Sequence, residues 1–327
     1  MKKAYRCIDL FAGIGGIRLG FEKAGFQTVF ANDMDAHAAT VYAANHGPIV
    51  CKPLEEVDLL EIPKYDVLLG GFPCQPFSRA GKGHGFEDVR GNAFFVLEHL
   101  IDRTRPKAFM FENVKALVSH EGGETLKTIL RSLRVKLGYQ VHVAVLNAKD
   151  FGVPQKRERV FIVGFKNPKI DFSFNNLKRK APKPLKEILE KGAHPSHYLS
   201  KQYMDGLIKH KQRHSDAGSN FGYCVLDPEG IANTFVAGNM GRERNLVKDR
   251  ILPSDGGEGA DLKSPINTLG IRRLTVNECK ALQGFNKGFK MPVTVRQAYK
   301  LLGNSVAVPV IREIAKEMKR AMDTASR

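Results

Sequence analysis

Residues 4–24 read AYRCIDLFAGIGGIRLGFEKA and contain a strand, a turn and a helix in direct succession. The short apolar run from Ala4 to Leu10 predicts a β-strand, and apolar residues at helical spacing predict a helix from Gly16 to Ala24. The glycines between them allow a tight turn and let the backbone approach a ligand at the carboxyl end of the strand, where open α/β sheets bind nucleotides. We therefore expect an α/β domain that begins with a ligand-binding turn.

The same alternation continues through the first half of the chain. Further short β-type runs predict strands at Thr28 to Asn32, Tyr65 to Leu69, Lys107 to Glu112, Val141 to Asn147 and Arg159 to Phe165. Helix-period apolar positions lie between them, in Asp35 to Asn45, Asn92 to Arg103 and Glu124 to Leu137. Such an alternation is typical of a βαβ array with a parallel sheet.

Residues 166 to 270 differ in character from the first half. They contain Pro and Lys clusters, many Gly and Asn residues and no sustained apolar period, which predicts a second, irregular domain with short strands. Order returns with a predicted helix from about Thr275 to Leu282. A last helix places Ile311, Ile314, Met318 and Met322 on one face, and the sheet of the first half is the expected partner of that face.

Composition excludes several classes of protein. The 327 residues are 43% hydrophobic and 26% charged, as in an ordinary globular protein. No apolar run approaches the roughly 18 to 20 residues that a membrane helix needs, and Arg6 and Asp9 interrupt the stretch in which a secretory signal would lie. The five cysteines are scattered and do not form a disulfide or zinc pattern. We expect a cytoplasmic protein with no bound metal and no membrane partner.

The net charge of +17, from 51 basic and 34 acidic residues, favours an anionic partner. A charge of this size raises the local concentration of polyanions, and nucleic acid is the abundant polyanion of the cytoplasm. A basic enzyme without such a partner is the alternative that charge alone leaves open.

The first glycine turn suits a nucleotide-like ligand other than NAD. The dinucleotide fingerprint G-x-G-x-x-G is not met, because Arg18 occupies the position three after Gly15. Asp33 follows the second predicted strand, where a carboxylate could bind the ribose hydroxyls of an adenosine-type cofactor. An ordinary turn next to an acidic residue remains the alternative.

Cys74 stands between two prolines in residues 70–78, GGFPCQPFS, directly after a predicted buried strand. A thiol held rigidly at the ligand-bearing edge of a sheet is a candidate nucleophile, although a buried structural thiol is the commoner role of a cysteine. Residues 79–91 are rich in glycine and basic side chains. This composition suits a mobile loop that closes over an anionic substrate.

Glu112 lies at the end of another apolar strand, in residues 111–114, FENV. A buried glutamate must be protonated or paired, so an acid or hydrogen-bond donor at the active edge is one interpretation and a solvated strand end is the other.

Residues 155–159, QKRER, place three cations beside a strand start. They suit contact with phosphates or bases, or an ordinary solvated turn.

Six motifs together resemble, in order and spacing, those of the DNA (cytosine-5) methyltransferases of the compact bacterial restriction-modification type. They are FAGIGG at 11–16, GFPCQ at 71–75, FENV at 111–114, QKRER at 155–159, RLTVNECKALQGF at 273–285 and GNSV at 303–306. The match misses mainly residues 166 to 270. The resemblance implies a Rossmann-like S-adenosylmethionine-dependent methyltransferase fold with a smaller, irregular target-recognition domain.

The resemblance also implies domain bounds. The catalytic and cofactor-binding domain would cover residues 1–168 and be completed by residues 300–327. The target-recognition domain would cover residues 169–285, and residues 286–299 would form the hinge.

The implied cofactor is S-adenosyl-L-methionine, which leaves as S-adenosyl-L-homocysteine. The residues implied to bind it are Phe11, Ala12, Gly13, Gly15, Gly16, Asp33, Met34, Gly71, Pro73, Asn304 and Ser305. Relatives commonly carry a Gly-Asp-Ile segment whose Asp meets the adenine amino group, whereas residues 51–56 here read CKPLEE. Glu55 or a backbone group would take over that contact.

The catalytic residues implied by the resemblance are Cys74, Glu112, Asn113, Arg157 and Arg159. The Cys74 thiolate would add to C6 of cytosine, Glu112 would protonate or hydrogen-bond N3, and Asn113 would orient Glu112. Arg159 would contact the cytosine or its phosphate. Because the thiolate must approach from above the ring plane, the target base has to leave the duplex.

Sequence recognition is expected in residues 166 to 270, the region that varies in the family. Residues 233–245 are the candidate segment, because Arg reads guanine and Asn reads adenine in the major groove. Charged loop residues that merely position the backbone are the alternative. The candidate DNA-binding residues are Ser78, Lys82, Arg90, Thr234, Asn239, Arg242 and Arg244.

The predicted activity is methyl transfer to C5 of a flipped-out cytosine in a specific short sequence of double-stranded DNA, through a covalent adduct of Cys74 with C6. Such an enzyme would protect DNA from a cognate restriction endonuclease that acts on the same site without a stable complex. A monomer would suffice for attack on one base of one strand. The alternatives are a tRNA cytosine-5 methyltransferase and a catalytically silent DNA-binding regulator.

Overall fold

A six-stranded sheet forms the centre of the first half of the molecule. The structure is a computed structural model, which describes residues 4–72, 93–219, 221–237, 243–249 and 265–325. The sheet strands are β1 (Arg6–Leu10), β2 (Gln27–Asn32), β3 (Val67–Gly70), β4 (Ala108–Val114), β5 (Gln140–Asn147) and β6 (Glu158–Phe165), in the order β2-β1-β3-β4-β6-β5. Strands β2, β1, β3 and β4 run parallel. Their carboxyl ends therefore meet at one edge of the sheet.

Strand β6 runs antiparallel to both of its neighbours, β4 and β5, so the prediction of a wholly parallel sheet is wrong at this side. The connection from β5 to β6 comprises only residues 148–157. A parallel crossover needs a dozen or more residues, so the chain turns back as a hairpin instead. As a result, Arg159 at the start of β6 pairs with Val114 at the end of β4.

The helices in the described parts of the chain are α1 (Gly16–Lys23), α2 (Ala36–His46), α3 (Ala93–Thr104), α4 (Glu124–Arg131), α5 (Lys201–Asp216), α6 (Val276–Leu282), α7 (Val295–Asn304) and α8 (Val308–Ala325). The predicted α/β alternation of the first half is confirmed, with bounds that differ by at most two residues at every end but one. The fourth predicted helix departs most, because the α-helix ends at Arg131 and a π-helical turn covers Ser132–Lys136. No helix of the described residues is long and apolar enough to cross a membrane.

Helices cover both faces of the sheet. Residues of β3 alternate between them: Val67 and Leu69 pack into the core that includes α1 and α8, and Leu68 packs into the core that includes α3 and α4. The predicted apolar face of the last helix is buried in the first of these cores. At the crossing of α1 and α8, a Cβ on Gly20 would lie 2.6 Å from Ile311 Cβ, so only glycine permits this approach.

The part after residue 166 is irregular, as predicted, and its described strands are short. Strands β7 (Leu246–Lys248) and β8 (Ile271–Arg273) form an antiparallel ribbon. Helix α5 was not predicted, and its only fully buried residue is Met204. Another core joins this part to the first half, since Phe235 and Val247 share it with Ile14. The recognition segment expected at residues 233–245 is thereby attached to the glycine turn.

Candidate active site

The glycine turn after β1 has a backbone that side chains rarely allow. Gly13 and Gly15 have φ angles of 54° and 83°, and Phe11, which is not glycine, has a φ of 52°. A non-glycine residue in this region costs about 1–3 kcal/mol and is found mostly at functional sites. The carboxylate of Asp33 fixes the turn, because it accepts a hydrogen bond from the Gly13 amide at 2.7 Å.

A cavity of about 390 Å³ lies at the carboxyl ends of β1, β2, β3 and β4. Most of the predicted cofactor residues line it: Phe11, Ala12, Gly13, Gly16, Asp33, Met34, Gly71, Asn304 and Ser305. Gly15 lies behind this surface, where a Cβ would be 2.4 Å from His46 Nε2. The size is within the range of small-molecule sites, and the mixture of apolar side chains, carboxylates and backbone amides fits an adenosine-containing ligand.

The C-terminal segment completes this cavity, as the motif order predicts. A Cβ on Gly16 would lie 2.9 Å from the Ser305 hydroxyl oxygen, so residues 304–306 rest directly on the glycine turn. Asp35, which was not predicted as a site residue, also lines the cavity and caps α2 by accepting from the amides of His37 and Ala38. An acidic residue just before an apolar helix is the signal that could have identified it.

Glu55, one candidate for the adenine contact, lies away from the cavity. This side chain is exposed and is absent from the described lining of the cavity. Residues 51–56 instead meet the second strand through a backbone group, because the Lys52 carbonyl oxygen accepts from Asn32 Nδ2 at 2.8 Å. Of the two options that the sequence left open, the Glu55 side chain is the one that the geometry disfavours.

Glu112 and Arg159 form a buried pair at the inner end of the cavity. Arg159 Nε lies 3.1 Å from Glu112 Oε1, and both side chains are almost completely shielded from solvent. Burial raises the pKa of Glu112, and the nearby charges of Arg159 and Arg157 only partly oppose it. Burial also lowers the pKa of Arg159. The site therefore favours a Glu112 carboxyl that holds a proton more readily than an exposed glutamate does.

Asn113 contacts the backbone rather than Glu112, in contrast to its expected orienting role. Its Nδ2 donates to the Phe72 carbonyl oxygen at 3.0 Å, and its Oδ1 accepts from the Val114 amide at 2.8 Å. Phe72 is the last described residue before the segment that contains Cys74. Asn113 thus fixes the point from which the chain leads to the predicted nucleophile.

Arg157 is buried beneath the site and is absent from the described lining of the cavity, although it was expected among the catalytic residues. Its guanidinium donates to the carbonyl oxygens of Phe235 at 2.7 Å and Gly303 at 3.0 Å, and also to that of Ser305. These bonds make Arg157 a positioning residue.

A second cavity, of about 610 Å³, adjoins the first at Val114 and Arg159. It is rich in cations, with one carboxylate among them: the charged lining residues are Lys115, Lys156, Glu158, Arg159 and Arg244. Thr234 also lines it and donates its hydroxyl to the Lys156 carbonyl oxygen at 2.6 Å. Such a surface suits an anionic ligand that extends towards the Glu112–Arg159 pair.

The remaining predicted site residues lie outside the described part of the structure. They are Pro73, Cys74, Ser78, Lys82, Arg90, Asn239 and Arg242, and the loop predicted at residues 79–91 is outside it too.

Comparison with known proteins gives the family. The model described as C-5 cytosine-specific DNA methylase matches residues 5–320. The Type II methyltransferase M.HpaII of Haemophilus parainfluenzae is 45% identical over 328 residues, covering 97% of this chain and 90% of that protein. The Type II methyltransferase M.NlaX of Neisseria lactamica is 40% identical over 331 residues, covering 98% of each.

Solved structures show the same fold. A crystal structure of Spodoptera frugiperda DNMT2, in mutant form, superposes with a TM-score of 0.75 and 21% identity, covering 97% of this chain and 100% of that one. At this level of identity the likeness concerns the fold alone. The family match, the two relatives and the cofactor cavity agree, and the chain belongs to the C-5 cytosine-specific DNA methylases, which take the methyl group from S-adenosyl-L-methionine.

Proposed function

We propose that this chain is a Type II modification enzyme, which methylates C5 of one flipped-out cytosine in a short specific sequence of duplex DNA. The observation that carries the proposal is the meeting of two cavities at the Glu112–Arg159 pair. The cavity beside the glycine turn would hold the methyl donor, and the cationic cavity would hold the target nucleotide. The reacting atoms would then meet at the pair.

The residues of the first cavity fit S-adenosyl-L-methionine in kind. Asp33 would accept from the ribose hydroxyls, and Asn304 and Ser305 would contact the donor from the side opposite the glycine turn. Met34, which is 70% exposed at the cavity rim, would pack against the adenine. When bound, the donor supplies a methyl group on a sulfonium sulfur.

Cys74 would act as the nucleophile. Its thiolate would form a bond to C6, and the electron pair of the C5–C6 double bond would move to C5, which takes the methyl group. The bond from the methyl carbon to the sulfonium sulfur would break, with its electron pair left on the sulfur of S-adenosyl-L-homocysteine. A base then removes the C5 proton, the double bond re-forms, and the thiolate leaves. The chain is therefore regenerated after each turnover.

Glu112 would assist the addition step. Negative charge develops on the cytosine ring when the thiolate adds, and a carboxyl that holds its proton in a buried site can donate to N3 at that moment. Arg159 would contact the base or its phosphate from the same side. Base flipping is needed because these groups cannot reach a stacked base, and it costs a few kcal/mol that phosphate contacts in the cationic cavity would offset.

The relatives favour duplex DNA over tRNA as the substrate. The proteins that are 40% and 45% identical are named Type II methyltransferases, whereas DNMT2 is similar at the level of the fold. A cognate endonuclease with the same recognition sequence would complete the system, and one copy of the chain would suffice for the modification.

The test is to express the wild type and Cys74→Ser in a host that lacks cytosine methylation and to bisulfite-sequence plasmid DNA from both. We expect one short sequence to be protected by the wild type and not by Cys74→Ser. Labelled methyl transfer to tRNA, with no protected cytosine in DNA from folded protein, would refute the proposal. Failure to trap duplex DNA that contains 5-fluorocytosine would refute the covalent step alone.

A further inference from the structure

Three segments that are far apart in sequence meet below the two cavities. They are residues 154–157 before β6, residues 232–237 at the start of the candidate recognition segment, and residues 303–305 at the cofactor cavity. The first two are joined through their backbones: the Lys156 amide donates to the Ala232 carbonyl oxygen at 2.9 Å, and the Ala232 amide donates to that of Pro154 at 2.8 Å. The recognition segment is thus bonded directly to the catalytic part of the chain.

Gln155 strengthens the same connection. This buried amide accepts from the Phe235 backbone amide at 2.9 Å and donates to the Leu282 carbonyl oxygen at 2.9 Å. Because its side chain bonds to one partner at each end, it fixes Phe235 relative to α6. The position of the recognition segment just before residue 238 is therefore set by groups of the catalytic part.

Arg157 connects the recognition segment to the cofactor segment. One terminal nitrogen of its guanidinium donates to Phe235, and the other donates to both Gly303 and Ser305. The guanidinium is planar and rigid, so it holds these carbonyl groups at a fixed separation. A shift of either segment would break at least one bond to a buried cation, which is costly.

Gly303 brings the same two segments into direct backbone contact. A Cβ at this position would lie 2.4 Å from the Ala237 amide nitrogen and 2.6 Å from the Val236 carbonyl carbon. Neither atom belongs to a flexible side chain that could move aside. Residues 236–237 and residue 303 must therefore move together or not at all.

The two segments end in different cavities. Thr234 and Val236 line the cationic cavity, whereas Asn304 and Ser305 line the cofactor cavity. We propose that Arg157 and Gly303 couple the binding of duplex DNA to the binding of the cofactor, so that each ligand tightens the other. The inference rests on the proposed function and adds a regulatory property to the same site. Linkage requires the coupling to be reciprocal.

The test measures the coupling itself rather than either affinity. The Kd of S-adenosyl-L-homocysteine, which cannot react, is measured alone and with a saturating duplex that carries the sequence found by bisulfite sequencing. We expect the duplex to tighten binding by about 5- to 150-fold in the wild type, the usual range for coupled sites. A duplex without the sequence should have a smaller effect.

Two variants remove the connection in different ways. Arg157→Lys keeps a positive charge but loses the planar guanidinium whose two terminal nitrogens bond the two segments. Gly303→Ala forces residue 303 away from the backbone of residues 236–237. In both we expect the coupling factor to fall below about twofold. If Arg157 and Gly303 had a merely structural role, the variants would bind both ligands more weakly. The ratio of the Kd of S-adenosyl-L-homocysteine without duplex to its Kd with duplex would then stay at the wild-type value.

Lys280→Met is the matched control. The Lys280 ammonium is also buried and bonded to backbone carbonyls, those of Lys287 and Phe289, but it is bonded to neither segment of the connection. We expect its coupling factor to equal that of the wild type, and thermal unfolding checks that every variant is folded. Wild-type coupling in both Arg157→Lys and Gly303→Ala, or no coupling in a wild type that methylates DNA, would overturn the inference. A wild type that methylates no DNA would instead overturn the proposed function.

Discussion

Replacement of Gly15 by alanine should damage the cofactor site through two separable effects. The first is the backbone, because the φ of 83° lies in the left-handed region that alanine disfavours by about 1–2 kcal/mol. The second is steric: the new Cβ would lie 2.4 Å from His46 Nε2 and 3.1 Å from Tyr42 Cε2. The His46 ring cannot yield freely, because it packs between Tyr42 and Phe289 with centroid distances of 4.8 and 5.9 Å.

The nearby Gly13 separates these effects. Its φ is 54°, and a Cβ there would meet no atom within 4 Å. Gly13→Ala should therefore weaken cofactor binding by the backbone cost alone, about 5- to 30-fold for 1–2 kcal/mol. Gly15→Ala adds the cost of overpacking, about 1–3 kcal/mol, and should weaken binding by a further 5- to 150-fold, as about 1.4 kcal/mol corresponds to tenfold.

The assay is isothermal titration of S-adenosyl-L-homocysteine into the wild type, both single glycine variants, His46→Ala and the double variant Gly15→Ala/His46→Ala. Removal of the His46 ring should restore the steric part only, so the double-mutant cycle should give a coupling energy of about 1–3 kcal/mol. Additive effects of Gly15→Ala and His46→Ala, or equal losses for Gly13→Ala and Gly15→Ala, would refute the reasoning.

Three further predictions concern protons and the strand end. Because burial raises the pKa of Glu112, kcat should fall as pH rises through that pKa, and Glu112→Gln should be about 10²-fold slower with this alkaline decline absent; an unchanged decline would contradict it. Burial also raises the pKa of Asp9 well above its usual range. The protonated Asp9 carboxyl therefore contributes fully to the free energy of unfolding below the pKa that Asp9 has in the unfolded chain, and this contribution is lost as pH rises towards its folded-state pKa. Asp9→Asn should therefore raise the free energy of urea unfolding at about pH 7 by about 1.4 kcal/mol per unit of pKa elevation and have little effect at about pH 3; equal effects would contradict this. Asn113→Asp keeps the acceptor for the Val114 amide but cannot donate to the Phe72 carbonyl oxygen, so covalent trapping of 5-fluorocytosine DNA should slow about tenfold. Trapping at the wild-type rate would show that the bond from Asn113 to Phe72 does not position Cys74.

The strands at the centre of the sheet, β1, β3, β4 and β6, were predictable because most of their residues are buried on both faces. Such strands are continuous apolar runs, so their positions appear in sequence without an alignment. Helix α5 lacks this signal, because only Met204 is buried and Tyr203 and Leu207 beside it are partly buried. Helix α7 did have a signal, because Thr294 and Gln297 form a capping box, although residues 286–299 were predicted to be a hinge.

The cofactor residues were predictable as a set, because strand ends and motif order bring them to one edge. The role of Arg157 was not, since its partners lie 78, 146 and 148 residues away and are carbonyl oxygens, which any residue type supplies. The same limit applies to Asn113, whose contact with Phe72 depends on where two strands end. Side chains that bind backbone groups leave no trace in the sequence of their partners.

The antiparallel direction of β6, which was not predicted, is the direction that the proposed chemistry at Glu112 and Arg159 requires. Residues 155–157 precede β6 and residues 158–159 begin it, so the motif lies at the amino end of that strand. In a parallel sheet this end would face away from the carboxyl ends of β1, β3 and β4, and Arg159 would lie about 20 Å or more from the glycine turn, given about 3.3 Å per strand residue. Only the antiparallel direction sets Arg159 opposite Val114 and within 3.1 Å of Glu112. A cationic motif at a strand start and a carboxylate at a strand end can share one site only across an antiparallel pair, so the motifs themselves held the evidence for the reversal of β6.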